Sequence, residues 1–260
     1  MFERILEEAG QDPALFSSEN LPKGGKHPLG ELTVITSPHH DPTQYPQDEE
    51  DADEDDEDLP PLPWVVSIDG FLTNEECDRL IELGESKGYD QSTKYDDEEL
   101  GKHVVDESRT SSNTWCQGWC DSDPIVRGVI DRMTKLTGIP YDNYEPLQLV
   151  HYKEGQKYNK HHDLTVVHDK MPFGPRILTI FLYLNDVEDG SGGTNFPYLN
   201  FTAIPKKGNA LIWPSVSDDL KGLDDWTWHA ALPVDEGSVK YGANAWVHLR
   251  DYQNADISDC

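Results

Sequence analysis

The sequence predicts an α+β fold in which N-terminal helices support a double-sheet jelly roll. Helical patterns occur early in the folded sequence, and after residue 144 the chain changes to short β-prone runs separated by turns. These runs are regularly spaced, and polar residues suited to binding a metal lie near their ends. Regular short strands of this kind are typical of a jelly roll that encloses an internal pocket.

Composition narrows the functional classes. The chain has 260 residues and a formal net charge of -29, from 50 acidic and 21 basic residues. This balance argues against binding to nucleic acid or to an anionic membrane surface, because their charges would repel the protein. No apolar run has the length of a membrane span, and the first ten residues lack the features of a signal peptide. We therefore expect either an intracellular protein or a fragment whose targeting segment is missing.

The N-terminal quarter is predicted to lie outside the folded domain. Residues 1–20 have the spacing of one short amphipathic helix, with a frayed terminus as the alternative. Residues 21–62 are rich in Pro, Gly and acidic residues, and such a composition buries too little apolar surface to fold, which predicts a disordered acidic linker. Calcium buffering is an alternative for its carboxylates, although no EF-hand spacing is present. Residues 63–252 are predicted to fold, and 253–260 form a tail.

Two helices and a series of strands follow in order. Thr73 and Glu76 form a capping box at the start of the first helix. Asp123 precedes the second helix, which Gly138 stops, and the polar residues 95–101 between the helices predict a mobile loop. The predicted strands are 63–71, 147–152, 176–184, 192–196, 208–213, 227–234 and 241–250.

The four cysteines leave the redox compartment open. They fit neither a disulfide-dense scaffold nor a CxxC zinc site. Cys116 and Cys120 are close enough in sequence to form a disulfide if the chain bends between them, but they can equally be two reduced thiols.

A candidate metal site begins with His161 and Asp163. On an extended strand, residues two apart project from the same face and can reach one ion, whereas His162 faces the opposite way. His229 supplies a third ligand further along the chain. Two histidines and one carboxylate are typical of non-haem Fe(II), with positions left open for other ligands. Lys240, which follows His229, is a cation suited to binding the carboxylate of an organic acid.

An ordered series of motifs accompanies these residues. The series includes Gly155-Gln156-x-Tyr158-x-x-His161-x-Asp163, Arg176-Ile177-Leu178-Thr179, Leu184-Asn185-Asp186-Val187, Gly192-Gly193-Thr194-x-Phe196-Pro197, Pro205-Lys206-x-Gly208 and His229-x-x-x-Pro233-Val234. Together these motifs, over about residues 64–252, resemble the prolyl 4-hydroxylase family of Fe(II)- and 2-oxoglutarate-dependent dioxygenases. Arg109 begins an R-T-S element similar to one in that family. The resemblance implies a double-stranded β-helix fold for residues 63–252, with Fe(II), 2-oxoglutarate and O₂ as cofactors and ascorbate as an expected reductant.

The resemblance also implies a role for each matching residue. His161, Asp163 and His229 would bind iron, and Lys240 would pair with the distal carboxylate of 2-oxoglutarate. Tyr152 matches the tyrosine that hydrogen-bonds this cosubstrate, and Tyr183 is a second candidate for the same task. The residues implied to line the peptide side of the pocket are Tyr158, Arg176, Trp246 and His248.

Some details differ from the pattern or stay open. Two residues separate Gly237 from Lys240, where the family usually has one, and we expect the preceding turn to absorb the extra residue. His248 fits a structural role on its strand as well as substrate contact. His168 lies in a polar context and is expected to face solvent, and Arg109 could either form a surface ion pair or bind a backbone carbonyl.

The implied function is peptidyl-proline 4-hydroxylation, coupled to oxidative decarboxylation of 2-oxoglutarate to succinate and CO₂. The partner would be a proline-containing peptide or protein, without nucleic acid. The resemblance favours the endoplasmic reticulum if the chain is a fragment, and otherwise a cytoplasmic enzyme. Three alternatives stay open: a dioxygenase acting on lysyl residues, free amino acids or small molecules, a catalytically silent binding module, and, least favoured, a zinc hydrolase.

Overall fold

The fold is known from a computed structural model, which describes residues 25–27, 30–45, 60–95, 103–165, 168, 170–187, 190–217, 220 and 222–255. The helix predicted within residues 1–20 and the acidic run at 48–58 lie outside these ranges. Within the described part of the chain, no helix has the length and apolarity needed to cross a bilayer.

Both predicted helices are present, and local sequence sets their ends. Helix α1 spans Asn74–Lys87, and Thr73 and Glu76 form its capping box. Helix α2 spans Pro124–Thr137, with the Asp123 side chain accepting a hydrogen bond at its start. Gly138 ends α2 in the left-handed conformation, with φ of 70°, which glycine adopts without steric cost.

Fifteen strands lie within the described residues. In chain order they are β1 (Gly25–His27), β2 (Gly30–Thr36), β3 (Val65–Asp69), β4 (Asp90–Gln91), β5 (Lys94–Tyr95), β6 (His103–Val104), β7 (Ser112–Trp115), β8 (Gln148–Tyr152), β9 (Tyr158–His161), β10 (Arg176–Tyr183), β11 (Thr194–Phe196), β12 (Phe201–Ala203), β13 (Ala210–Pro214), β14 (His229–Ala231) and β15 (Lys240–His248). Nine form a major sheet in the order β1-β2-β3-β13-β10-β15-β8-β7-β4, and four form a minor sheet in the order β12-β11-β14-β9. Strands β5 and β6 pair with each other.

The two sheets and the two helices form three layers with two cores. The helices cover the outer face of the major sheet, where Leu80 and Val129 pack in one cluster with Ile180 and Ala245. The inner face of the major sheet packs against the minor sheet through a second cluster of buried residues, among them Val150, Tyr152, Phe181, Phe196, Leu211 and Trp213. Alternate residues of one strand enter different cores because successive side chains point to opposite faces. This arrangement confirms the predicted α+β jelly roll.

The prediction that residues 21–62 form a disordered linker is wrong for part of that range. Strand β2 pairs antiparallel with β3, and β1 pairs with β2, so this range extends the major sheet by two strands. Leu32 of β2 is buried between the sheet and the helices. Leu62 is also buried. Pro, Gly and acidic residues dominate the composition of residues 21–62. The short alternating run of β2 is therefore not visible in the composition. The predicted mobile loop at 95–101 starts within β5, and its remaining residues lie outside the described part of the chain.

The cysteine alternatives are resolved in favour of one disulfide. Cys116 and Cys120 are bonded to each other, with their Cα atoms 5.0 Å apart. Cys77 is a buried free thiol on α1. The bridge closes a short bend between β7 and α2, beside the outer core.

Candidate active site

Three predicted ligands converge where β9 and β14 meet. His161 is the last residue of β9 and pairs with His229, the first residue of β14. Asp163 lies two residues beyond the end of β9, so the shared strand face that the sequence suggested does not bring it to His161. The bend after the strand places one Asp163 oxygen 4.0 Å from His161 Nε2 and the other 3.7 Å from His229 Nε2. These distances are too long for hydrogen bonds and suit three atoms that share one ion.

The backbone orients both imidazoles. His161 Nδ1 donates to the carbonyl oxygen of Asn159 at 2.8 Å, and His229 Nδ1 donates to the carbonyl oxygen of Thr227 at 2.9 Å. A carbonyl only accepts, so the proton of each neutral ring is on Nδ1 and the lone pair of Nε2 points into the cluster. Burial, followed by the proximity of His229, holds the pKa of His161 well below its ordinary range and keeps that ring neutral.

Asp163 is held as a carboxylate. Burial alone would raise its pKa, but His229, His161 and a hydrogen bond from Thr179 outweigh burial and lower it. The Thr179 hydroxyl on β10 donates to an Asp163 oxygen at 2.6 Å. Neutral imidazoles and an ionised carboxylate are the forms that bind a divalent metal. The donor set and its orientation therefore fit Fe(II).

His162 takes no part in this cluster. Its Nε2 faces the Asp224 carbonyl and the Thr227 hydroxyl, and its Nδ1 accepts from the backbone of Leu164. Its Nε2 is thus engaged by the loop that leads to β14, and its Nδ1 by the chain that follows Asp163.

Lys240 and Tyr152 line the same cavity as the three ligands. They are direct partners on β15 and β8, and Lys240 Nζ lies 5.1 Å above the Tyr152 ring. Lys240 is 1% exposed and donates to the Gly192 carbonyl at 2.7 Å. Burial lowers the pKa of Lys240 to about 7. The extra residue after Gly237 therefore leaves Lys240 inside the cavity.

Tyr183, the second tyrosine considered for the cosubstrate, is placed differently. Its hydroxyl donates to the Thr194 hydroxyl at 2.8 Å. Thr194 lines the cavity, while Tyr183 lies in the core behind it.

Two of the four residues implied for the peptide side, Tyr158 and Trp246, line the cavity. Tyr158 stacks on His161 with ring centroids 3.5 Å apart, and the Arg109 guanidinium lies 4.7 Å above the Tyr158 ring. Arg109 is buried and donates to the Thr93 carbonyl, so it makes the backbone contact and not a surface ion pair. Among the described residues, the buried Trp246 Nε1 and Arg109 Nε have no hydrogen-bond partner.

The other two, Arg176 and His248, lie behind the cavity instead of lining it. Arg176 donates twice to Glu145, at 2.5 and 3.0 Å, and its guanidinium lies 3.7 Å from the Trp246 ring centroid. His248 is bonded to the same carboxylate at 2.8 Å and to the Gly174 carbonyl at 2.7 Å. Neither side chain lines the cavity, since Arg176 Nε and Nη2 and both ring nitrogens of His248 have partners in the protein, and their contact with a peptide stays a prediction.

His168 is buried, so the expectation that it faces solvent is wrong. It is 4% exposed and packs edge to face against His248 and Phe173. The polar residues that flank it in sequence gave no sign of this packing.

Several cavity residues were not predicted from the sequence. Asn244 on β15, Phe181 on β10 and Trp213 on β13 line the cavity together with Thr194. A signal was present for Asn244, because Lys240, Asn244 and Trp246 are separated by even numbers of residues and must share one face of their strand.

The comparisons with known proteins agree with this site. Residues 147–248 match the 2OG-Fe(II) oxygenase superfamily. Prolyl 4-hydroxylase 2 of Arabidopsis thaliana is 35% identical over 73% of this chain and 69% of its own length. Probable prolyl 4-hydroxylase 8 of the same plant is 32% identical over 92% of this chain and 87% of its length.

Solved structures show the same relationship. The 2-oxoglutarate complex of a viral collagen prolyl hydroxylase from Paramecium Bursaria Chlorella virus-1 is similar, with 32% identity and a TM-score of 0.55 over 71% of this chain and 95% of that chain. A Pseudomonas putida prolyl-4-hydroxylase is 14% identical, with a TM-score of 0.51 over 71% of this chain and 92% of that chain, and shares the fold.

The fold and the site define an Fe(II)- and 2-oxoglutarate-dependent dioxygenase with a double-stranded β-helix core. Within that class, the chain belongs to the prolyl 4-hydroxylase family.

Proposed function

We propose that this protein hydroxylates proline at C4 in a proline-containing polypeptide, with Fe(II), 2-oxoglutarate and O₂. The observation that carries the proposal is a single cavity lined by the His161, Asp163 and His229 cluster, by the buried Lys240, and by aromatic rings. The similar plant and viral proteins named above are prolyl hydroxylases, which supports the same reaction here.

His161, Asp163 and His229 would hold the iron on one side of the cavity. Iron bound there supplies the oxidising chemistry, in which 2-oxoglutarate is converted to succinate and CO₂ while the proline C–H bond is hydroxylated. The protein fixes the donor atoms beforehand through the carbonyls of Asn159 and Thr227.

Lys240 and Tyr152 would hold 2-oxoglutarate. Lys240 is 1% exposed, and within the described ranges its one hydrogen-bond acceptor is the Gly192 carbonyl, so it is costly to keep charged until an anion pairs with it. The distal carboxylate of the cosubstrate would supply that anion, and the Tyr152 hydroxyl would donate a hydrogen bond to it. Tyr183 would act indirectly, by holding the Thr194 hydroxyl at the cavity wall.

Tyr158, Trp246 and Arg109 would contact the substrate. The aromatic faces suit proline rings in an extended polyproline II segment. The unpartnered N–H groups of Trp246 and Arg109 suit the carbonyls of such a peptide, which has no internal hydrogen bonds. Arg176 would position Trp246 from behind, and Glu145, itself bonded to His248, would hold Arg176 in place.

We also propose an oxidising compartment, the endoplasmic reticulum, and a requirement for ascorbate during turnover. The Cys116–Cys120 disulfide supports the compartment, because such bonds persist mainly outside the cytosol. Alkylation of free thiols in protein taken from its native cells would test this. We expect Cys116 and Cys120 to resist alkylation until a reductant is added, and labelling without reductant would contradict the proposal.

The activity itself is tested by measuring succinate formed from 2-oxoglutarate by the iron-loaded protein, with and without a poly-proline peptide, and 4-hydroxyproline in the peptide by mass spectrometry. We expect peptide-stimulated succinate and a matching amount of 4-hydroxyproline, both absent in His161→Ala. Succinate formation that the peptide does not stimulate would mean that the protein is a dioxygenase but does not act on prolyl substrates. No turnover under any condition would indicate a silent binding module.

A further inference from the structure

Lys240 lies at the start of a strand, directly after a turn, where the backbone has fewer contacts to hold it in place. It is the first residue of β15, and the chain before it forms a turn at Gly237, with φ of 79°, followed by the exposed Val239. Along the chain, Lys240 has a paired strand residue on one side only, because a turn precedes it, and a lysine side chain has four flexible carbon–carbon bonds. A residue placed in this way needs additional contacts if its ammonium group is to be held at one point in the cavity.

The Asn185 carboxamide supplies such contacts on both sides of Lys240. Its oxygen accepts from the Tyr241 backbone N–H at 2.7 Å, and its nitrogen donates to the Val239 carbonyl at 2.9 Å. The Leu184 N–H also donates to the Tyr241 carbonyl at 3.1 Å. Only a side chain with a donor and an acceptor at its end can bridge these two peptide groups, and Asn185, two residues after the end of β10, has the right length.

A second contact lies on the opposite face of the sheet. Because Lys240 pairs with Tyr152, the next residues, Tyr241 and His151, also pair, and they point toward α1. Their rings are stacked with centroids 4.5 Å apart and planes 2° from parallel. The Tyr241 hydroxyl donates to Glu85 on α1 at 2.7 Å. The strand end is thus fixed to its neighbouring strand and to a helix directly behind the cavity.

We propose that Asn185 is a positioning residue for the cosubstrate, and that the Tyr241–His151 stack supports it, by fixing the backbone of Lys240 so that its ammonium group meets the distal carboxylate of 2-oxoglutarate. The inference rests on the proposed role of Lys240. Asn185, Tyr241 and His151 touch neither the cavity nor the metal ligands, and they act only through the residues beside them.

The test measures the Kd of 2-oxoglutarate by anaerobic calorimetry on the iron-loaded protein, together with Fe(II) affinity and kcat at saturating 2-oxoglutarate. We expect Asn185→Ala to raise this Kd by about 3- to 10-fold, the range that packed neighbours of a site commonly produce. Tyr241→Leu, which removes the stack and the bond to Glu85, is expected to act in the same direction, and Tyr241→Phe, which keeps the stack, to act less. Fe(II) affinity and saturated kcat should change by less than about twofold.

Asn143→Ala is the matched control. The Asn143 carboxamide donates to the backbone of His248 at the opposite end of β15, so its loss also removes an amide bond to that strand. We expect no change in the Kd of 2-oxoglutarate in this variant. If Asn185→Ala does not fold, the two Tyr241 variants test the same support.

Lys240→Ala separates two kinds of failure. If it weakens 2-oxoglutarate binding while the Asn185 and Tyr241 variants do not, the positioning inference is wrong and the role of Lys240 stands. If Lys240→Ala leaves the Kd unchanged, the proposed cosubstrate site is wrong and the inference falls with it. Equal weakening of Fe(II) and 2-oxoglutarate binding in Asn185→Ala would mean a general structural loss and would also overturn the inference.

Discussion

Two clusters of two histidines and one carboxylate lie in the described part of the chain. One is His161, Asp163 and His229, and the other is Glu145, His168 and His248, and in each the candidate ligand atoms lie within 4.8 Å of one another. By residue type and distance alone, both are candidate metal sites. Only the first lines the cavity.

The clusters differ in what already occupies their ligand atoms. Arg176 donates to both oxygens of Glu145, and His248 has the Glu145 carboxylate at one ring nitrogen and the Gly174 carbonyl at the other. In the first cluster each carbonyl takes only Nδ1, and both Nε2 atoms remain directed at Asp163. A group of ligating residue types is therefore a metal site only where the protein leaves its lone pairs unused, and where no protein cation already balances the carboxylate.

The largest expected effect is loss of iron from the first cluster. Asp163→Ala removes the charged ligand, so we expect the protein to retain no stoichiometric Fe(II) and to form no succinate. Metal analysis after anaerobic loading and desalting measures this directly. Retention of one equivalent of iron by the variant would mean that the ion binds elsewhere, with the second cluster the first place to look.

A substitution in the second cluster should lower the stability of the protein and leave its iron content unchanged. Burial alone would raise the pKa of Glu145, but Arg176 and His248 lower it to about 2, so the group is a carboxylate in the folded protein. Glu145→Gln leaves the buried Arg176 without its counterion, and we expect the free energy of unfolding to fall by about 3–5 kcal/mol. Urea unfolding at neutral pH measures this loss, and unchanged Fe(II) stoichiometry is the accompanying control.

The contribution of Glu145 to stability should depend on pH. Because folding lowers the Glu145 pKa from its ordinary 4.5 to about 2, its ionic contribution is complete above pH 4.5 and is lost as the pH falls toward 2. The stability difference between the native protein and Glu145→Gln should shrink over that interval. A difference that stays constant down to the lowest pH would show that the carboxylate is not the source of the stability.

A smaller effect should follow from removing the support of Asp163. Thr179→Val keeps the shape of the side chain and removes its hydrogen bond to the carboxylate, so we expect Fe(II) affinity to fall by about 10- to 100-fold. Thr137→Val is a matched control, because the Thr137 hydroxyl is equally buried but bonds to Tyr144 and Met133 on the helical side. A similar loss of iron in both variants would mean that lower stability of the fold, and not the lost bond to Asp163, causes the effect.

Local sequence determined much of the fold, and contacts between distant residues determined the rest. The capping box at Thr73 and the glycine at position 138 are short-range signals, and both correctly predict a helix end. Strand β2 was missed because its short alternating run is a weak signal without its partner β3, which lies about 30 residues further along the chain. For the same reason, the burial of Arg176 and His248 could not be predicted, since it depends on Glu145, which carries no motif and lies 31 residues from Arg176.

Lys240 is a third buried ionisable group to compare, because it has no charged partner among the residues that the structure describes. Glu145 has its counterion inside the protein, whereas the Lys240 ammonium faces three aromatic rings and one carbonyl. Burial lowers its pKa to about 7, so above that pH the empty cavity holds mainly the neutral amine. Binding a dicarboxylate favours the ammonium, and each binding event at higher pH must then take up a proton.

The Kd of 2-oxoglutarate should therefore rise with pH above about 7, with a limit of about tenfold per pH unit, and level off below it. Anaerobic calorimetry in buffers of different ionisation enthalpy measures both the Kd and the proton uptake, with Fe(II) occupancy checked at each pH. Lys240→Arg is the control, because a guanidinium stays charged throughout this range and should remove the slope. A Kd that does not change with pH in the native protein would mean that Lys240 keeps its proton before 2-oxoglutarate binds. Lys240 and Glu145 would then both be charged in the free protein and would differ only in where they lie.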